Sequence, residues 1–115
     1  MLKAPPIPRY LLIHTIQYEE LTGRVDDYGK PTYAANQTIM NVRVDNTSGY
    51  MRTGIEQSDS SNTLVFVDST FSKPFVDFKK ESKVTFNGKE MSIQRVVPCY
   101  QPGTNDLHHY ELELV

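Results

Sequence analysis

The residues with the greatest capacity for chemistry are three histidines and a single cysteine. His108 and His109 are adjacent near the end of the chain, His14 lies near its start, and Cys99 is the only cysteine. Imidazole and thiolate groups bind transition metals, and a thiol next to a base can act as a nucleophile. However, no pair has a zinc-binding spacing such as C-x-x-C or H-x-x-x-H, and no G-x-S-x-G motif occurs. The sequence therefore predicts no metal site, no cofactor and no enzyme activity, and we expect Cys99 to pack as a small apolar side chain.

The last segment of the chain, LHHYELELV, positions the two adjacent histidines. Its bulky residues and its acids fall on opposite sides of a period-two alternation: Tyr110, Leu112 and Leu114 against Glu111 and Glu113. This pattern predicts a strand with one buried face. Because neighbours on a strand point to opposite faces, the rings of His108 and His109 should diverge. A shared metal site would need a β-bulge here or ligands from elsewhere. We expect a partly buried, hydrogen-bonded His108 and a surface His109 close to Glu111.

Length and composition limit the class of protein. The chain has 115 residues and a formal net charge of -2. A domain of this size buries roughly two-thirds of its unfolded surface, so it can form a core without disulfides. One cysteine allows no internal disulfide and suits a reducing cytoplasm. The N-terminus is rich in proline and does not resemble a signal peptide, and no stretch approaches the roughly 20 apolar residues of a transmembrane helix.

The first half of the chain predicts two strands separated by a tight turn. Residues 10–18 (YLLIHTIQY) are rich in β-branched and aromatic types, which favours a strand. The stretch DDYGKP at 26–31 predicts a turn, in which Gly29 permits a positive φ and Pro31 ends the segment. Residues 33–45 predict a second strand that is long or bent.

The second half contains the strongest local signal. A short apolar run predicts a strand over residues 64–68. Alternation predicts strands over residues 83–87 and 89–97 and, after a loop at 98–106, the final strand. Asn87-Gly88 lies between two alternating runs and predicts a hairpin, because a type I′ turn needs positive φ at both positions. A single helical turn is expected after Pro74.

Together these segments predict an all-β protein, a small antiparallel barrel or sandwich of about six strands with at most one short helix. We assign residues 1–9 to a Pro-rich N-terminal arm and residues 10–115 to a single β domain. Residues 46–62 are rich in Ser, Gly, Asn and Thr and are expected to form a long, mobile polar loop. Loops of this length in compact domains are uncommon and often functional.

One alternative function is a small nucleic-acid-binding barrel that stacks bases on exposed rings. The candidate rings and cations are Tyr10, Tyr18, Tyr28, Tyr33, Tyr50 and Tyr100 with Arg43, Arg52, Lys79, Lys80 and Lys83. The chain lacks the basic surplus that nucleic-acid binding requires, and an acid interrupts its lysine-rich run. A compact scaffold with an arm and a polar loop is more typical of a protein that acts by assembly.

Three stretches resemble a known family. They are the D-x-Y-G turn at 26–29, the F-x-G-K-E-hydrophobic-x-I segment at 86–93, and the H-H-Y-E-hydrophobic-E terminus at 108–114. In these stretches the chain resembles the minor capsid proteins of long-tailed phages of Gram-positive bacteria. The likeness extends from about Leu12 to the C-terminus.

The resemblance implies a virion neck component that acts as a head–tail connector, similar to head-closure (stopper) proteins. Such a protein is made in the host cytoplasm and forms a ring below the portal and adaptor. The ring retains packaged DNA, which it meets only by proximity, and docks the tail. The resemblance implies a twelve-fold ring in the virion, allows a monomer in isolation, and implies neither a membrane nor an active site. As interface residues we predict Tyr50, Arg52, Glu56, Asp59, Glu111 and Glu113.

Overall fold

The computed structural model describes residues 4–46 and 63–115. Eight strands follow a short 3₁₀ turn at Arg9–Leu11: β1 His14–Glu19, β2 Leu21–Val25, β3 Pro31–Tyr33, β4 Gln37–Asn46, β5 Thr63–Asp68, β6 Lys83–Phe86, β7 Lys89–Tyr100 and β8 Leu107–Leu114. Most of the predicted loop 46–62, including Tyr50, Arg52, Glu56 and Asp59, lies outside the described residues. No helix in the described part of the chain has the length and apolar character needed to cross a membrane.

Six strands close into an antiparallel barrel in the order β1-β4-β5-β8-β7-β6, with β6 pairing back onto β1. The predicted all-β class with about six strands is confirmed. Inward-pointing residues of the barrel strands form one core with Phe78, which lies between β5 and β6 in the chain. The strand residues in this core are Ile16, Tyr18, Ile39, Val42, Val65, Val67, Val84, Met91, Ile93, Tyr110, Leu112 and Leu114. Each fully buried aliphatic side chain contributes roughly 1.5–3 kcal/mol, so the core provides the main stabilisation of the barrel.

The remaining two strands, β2 and β3, form a separate antiparallel ribbon beside the barrel. The predicted turn at 26–31 is confirmed at its tip. The Oδ1 atom of Asp26 accepts hydrogen bonds from the backbone N–H groups of Tyr28 (2.8 Å) and Lys30 (2.9 Å). Gly29 has a φ of 80°, which glycine adopts without the steric cost of a Cβ.

The predicted strand 33–45 is divided, with its longer part bent. Residues 34–36 separate β3 from β4, and β4 contains a bulge at Asn41, which has a φ of 61°. His14 pairs with Val42 while Thr15 pairs with Met40, so Asn41 is the extra residue. Its side-chain amide donates a hydrogen bond to the carbonyl of Phe71 at 3.1 Å. The bulge therefore fastens the 69–82 segment to the barrel wall.

The Asn87-Gly88 hairpin is also confirmed, with φ values of 52° and 79° at the two turn residues. The 98–106 loop is shorter than predicted, because β7 continues to Tyr100. β7 pairs with β6 only as far as Ser92, so at Pro98 the neighbour of β7 is β8. The missing N–H of Pro98 therefore does not disrupt the pairing of β7 with β6.

Two expectations about helix and strand boundaries are wrong. The strand predicted from residue 10 begins at His14, and a 3₁₀ turn precedes it. Among the described residues, this turn is the only helical segment, so the helical turn expected after Pro74 does not form. Phe78 instead packs edge-on against Tyr18, with ring centroids 4.9 Å apart, and the Tyr18 hydroxyl accepts the backbone N–H of Lys79. Tertiary contacts thus replace helical hydrogen bonds in this segment.

Candidate functional site at the β7–β8 bulge

A β-bulge in β8 brings the two adjacent histidines together. Cys99 pairs with His109 and Tyr100 pairs with Leu107, which leaves His108 as the extra residue. A bulge re-aims the side chains around it. The Nδ1 atoms of His108 and His109 are 2.8 Å apart, so the prediction that the rings diverge is wrong. The reason is the lost alternation at the bulge, which the residue pattern of β8 does not reveal.

The N-terminal arm lies against this bulge. The Nε2 atom of His108 is 2.6 Å from the carbonyl oxygen of Pro5, which can only accept a hydrogen bond. The backbone N–H of Ala4 donates to Oε1 of Gln101 at 2.9 Å. The expected partly buried, hydrogen-bonded His108 is therefore confirmed, and its partner is a residue of the arm. The arm residues described by the structure are held on the barrel.

A buried carboxylate fixes the arm from a second direction. Asp68 is fully buried at the end of β5. Its Oδ1 accepts the backbone N–H of Ile7 at 3.0 Å, and its Oδ2 accepts those of Thr70 (2.8 Å) and Phe71 (3.0 Å). The hydroxyl of Ser72 accepts the backbone N–H of Asp68 itself. A buried carboxylate is tolerated only when its oxygens accept such hydrogen bonds, so the arm supplies part of what makes Asp68 stable.

Three groups that can ligate a metal converge on the outer face of β7 and β8. The Oε2 atom of Glu111 is 3.2 Å from Nε2 of His109 and 3.7 Å from Sγ of Cys99. One potential ligand atom from each residue lies within 4.8 Å of the others. His109 contacts Glu111 as predicted, but its side chain is only 16% exposed and is not a surface ring.

The environment of Cys99 opposes a role as a nucleophile. Burial raises the pKa of its thiol, and the Glu111 carboxylate raises it further through its negative charge and a hydrogen bond. A thiol with a raised pKa is protonated at neutral pH and reacts poorly. Cys99 is half-buried rather than fully packed inside the core.

Sequence reasoning missed the partnership of Glu111 with Cys99. The H-x-E spacing on β8 places His109 and Glu111 on one face, and the period-two rule predicted that they lie close together. Pairing of Cys99 with His109 depends on the register between two strands, which the residue types leave open.

Two other candidate residues in the described part of the chain, Glu113 and His14, lie apart from this cluster. Glu113 is on the outer face, as expected, and forms an ion pair with Arg95 at 3.4 Å. Nδ1 of His14 accepts the backbone N–H of Val44, and its ring contacts Phe86 edge-on. These contacts hold the His14 ring on another part of the barrel wall.

The structure weakens the alternative of base stacking. The ring of Tyr18 is fully buried in the core, and Lys83 covers the ring of Tyr33 with its Nζ 4.4 Å from the ring centroid. Tyr10, Tyr28 and Tyr100 are exposed. Lys83 is itself engaged with Glu90 at 2.9 Å, which raises the lysine pKa. The ring of Tyr18 is therefore unavailable for stacking, and one face of the Tyr33 ring is already in contact with a cation.

A groove of about 480 Å³ runs beside the cluster, between the arm and the outer faces of β4, β5 and β8. Most of the surface that lines it is apolar, although four of the seven lining residues are polar or ionisable: Ile7, Leu11, Arg43, Asp45, Phe66, His109 and Glu111. Arg43 and Asp45 form a loose ion pair at 3.8 Å. Apolar concavities with few oriented polar groups are typical binding surfaces.

The sequence is similar to phage proteins over almost its whole length. The chain is 29% identical over 117 residues to a protein of Lactococcus phage LL-H called Uncharacterized protein ORF5, and the match covers 96% of this chain and 98% of that protein. Residues 8–114 match the family model described as Minor capsid protein. This match includes all eight strands. The chain therefore belongs to the phage minor capsid protein family and is a component of a virion.

Proposed function

We propose that this protein is a head–tail connector of the head-closure, stopper-like kind. Twelve copies would form a ring in the virion neck, below the portal and adaptor proteins, retain the packaged DNA and provide a surface for the tail. The free protein would be monomeric or weakly associated. The ring would act through shape and assembly and not through catalysis.

The observation that supports this proposal most directly is the family match over residues 8–114. The barrel also offers two unlike surfaces. The β2–β3 ribbon is anchored beside β1 and β6, because Leu21 N–H donates to Oγ of Ser82 and Lys83 covers Tyr33. The groove lies over β4, β5 and β8. In the closed barrel these walls face different directions. A ring needs heterologous contacts, in which one surface of each subunit meets a different surface of the next.

The exposed side chains of the ribbon support its role as one of these surfaces. Val25 is 66% exposed and Tyr28 is 87% exposed. Large apolar side chains at a projecting tip stabilise an interface when a neighbouring subunit covers them. Aromatic residues are also enriched in interface cores. Twelve weak contacts in a closed ring reinforce one another through effective concentration.

The charge of the protein suits a position next to packaged DNA. With a formal net charge of -2, the subunit has no surplus of cations for phosphate binding. A basic lining would release counterions and hold DNA tightly. A ring that retains DNA must block its exit without binding it strongly, and a mixed surface of low net charge meets that requirement.

The test is a phage in which the gene is deleted and a plasmid supplies the protein. Without the plasmid, we expect heads that lose DNA and fail to attach tails. In complemented virions, quantitative mass spectrometry should give the same copy number as the portal protein, and cryo-electron microscopy should place the protein below the portal. A copy number that follows the major capsid protein, or absence from mature particles, would contradict the proposal.

A further inference from the structure

We propose that Cys99, His109 and Glu111 form a binding site for a zinc-class divalent cation on the outer face of the barrel. The site joins β7 to β8 and lies under the N-terminal arm. This inference does not depend on the function proposed above. It rests on the distances between the three side chains and on the hydrogen bonds that orient His109.

Two of the three distances match those of a tetrahedral metal site. With bonds of about 2.0 Å to N and O and about 2.3 Å to S, zinc holds its ligand atoms about 3.3 Å apart for N and O and about 3.5 Å apart for S and O. The observed separations are 3.2 Å from His109 Nε2 to Glu111 Oε2 and 3.7 Å from Cys99 Sγ to Glu111 Oε2. These two separations already suit an ion, and the ligand atoms of Cys99 and His109 lie within 4.8 Å of each other.

A chain of hydrogen bonds sets which nitrogen of His109 is free. The carbonyl of Pro5 can only accept, so Nε2 of His108 carries the proton in that contact. Nδ1 of a neutral His108 then has a lone pair and accepts a hydrogen bond from Nδ1–H of His109. In a neutral His109 this leaves a lone pair on Nε2, the atom that faces Glu111.

This arrangement is the one that metal-bound histidines adopt. A ligating histidine almost always donates its second ring N–H to an acceptor, which fixes the ring and its tautomer. A lone pair on His109 Nε2 and a carboxylate oxygen 3.2 Å away repel each other unless a proton or a cation lies between them. His108 is thus the positioning residue, and the arm carbonyl orients His108 in turn.

The donor set indicates the class of ion. One sulfur, one imidazole nitrogen and one carboxylate oxygen favour zinc or cobalt over magnesium or calcium, which prefer oxygen ligands alone. All three side chains are half-buried. An ion can therefore reach the site and keep a fourth position for water or for a donor from a neighbouring subunit.

The experiment uses the full chain without a histidine tag, stripped with a chelator and titrated with Co²⁺ and then Zn²⁺. We expect one ion per chain, tetrahedral visible bands and a thiolate-to-cobalt charge-transfer band. Cys99→Ser should abolish the charge-transfer band, and Glu111→Gln should weaken binding at least 10-fold. His108→Ala should weaken it about 10- to 100-fold, as expected for a residue that orients a ligand.

Glu113→Gln is the matched control, because Glu113 lies on the same strand with the same 34% side-chain exposure but pairs with Arg95. Circular dichroism should show that each variant is folded. Loss of the charge-transfer band in Cys99→Ser with normal binding in Glu113→Gln supports the site. Octahedral cobalt spectra, equal binding by Cys99→Ser and the parent protein, or no binding would overturn it and leave His109 and Glu111 as an ion pair only.

Discussion

Two regions of the molecule are held by hydrogen bonds that differ in sequence separation. The first, the arm–bulge region, comprises the arm residues 4–8, Asp68 and the bulge at His108. Its hydrogen bonds join residues 103 apart in sequence, between Pro5 and His108, and 61 apart, between Ile7 and Asp68. The second is the β2–β3 ribbon, whose tip is held by bonds over 4 residues, from Lys30 to Asp26. The arm–bulge region therefore exists only when the barrel is folded, whereas the ribbon tip is defined by its own residues.

This difference predicts which substitutions affect the stability of the protein and which affect its assembly. Residues 22–31 of the ribbon are all exposed, so substitutions there change little buried area. In the arm–bulge region, a buried carboxylate and several backbone donors depend on one another. We expect substitutions in the arm–bulge region to lower the free energy of unfolding, and substitutions in the ribbon to affect contacts with other proteins.

The largest expected effect follows from removing the buried carboxylate. Asp68→Ala leaves the N–H groups of Ile7, Thr70 and Phe71 without their acceptor. At about 1–3 kcal/mol for each unsatisfied buried donor, with partial access of water, we expect a total loss of roughly 3 kcal/mol in urea unfolding. Asp45→Ala is the control, because Asp45 is half-exposed in a loose ion pair and should cost less than about 1 kcal/mol. Equal losses for the two variants would contradict the comparison.

The next effect isolates the hydrogen bond from the arm. Ile7→Pro removes the backbone N–H that Asp68 accepts, and proline suits an arm that already contains Pro5, Pro6 and Pro8. Ile7→Ala removes the side chain but keeps the N–H. We expect Ile7→Pro to be less stable than Ile7→Ala by about 1–2 kcal/mol in urea unfolding. If the two variants unfold at the same urea concentration, the hydrogen bond from the arm to Asp68 does not contribute to the free energy of unfolding.

The same contrast explains what the sequence could predict. The Asn87-Gly88 hairpin, the turn at 26–31 and the inward face of β8 were all predicted, because each depends on residues within a few positions of one another. The bulge at His108 was not, because it depends on the register between β7 and β8. Two residues that the alternation places on opposite faces, His108 and His109, consequently share a hydrogen bond.

The candidate metal site was missed for the same reason. Its ligands come from two strands. The proximity of His109 and Glu111 on β8 was predicted, but the position of Cys99 opposite His109 depends on the register between β7 and β8. Residues 1–9 were predicted as a Pro-rich arm, but the partner of this arm is a buried acid on β5 that the sequence shows only as the last residue of LVFVD. Contacts between distant segments are set by the closed barrel, and residue types alone do not define them.

A smaller effect tests whether the ribbon tip is independent of the barrel. Gly29 has a φ of 80°, which alanine adopts at a cost of about 1 kcal/mol. Gly29→Ala should increase hydrogen exchange at the amides of Tyr28 and Lys30, which bond to Asp26. Exchange in the core strand β5 should be unchanged. Faster exchange in β5 would show that the ribbon and the barrel unfold together.

The smallest change in stability is expected at the apolar residues of the ribbon, where the effect on assembly should be greatest. Val25→Thr combined with Tyr28→Ser alters two exposed side chains, so the free energy of unfolding should stay within about 0.5 kcal/mol of the parent. Because these side chains would contact a neighbouring subunit in the proposed ring, complementation with the double variant should yield fewer tailed particles. Asp27→Asn, an exposed change at the same turn, serves as the control. Normal particle yield from a stable double variant would exclude the ribbon from the interface, and a large loss of stability would show that it belongs to the cooperative core.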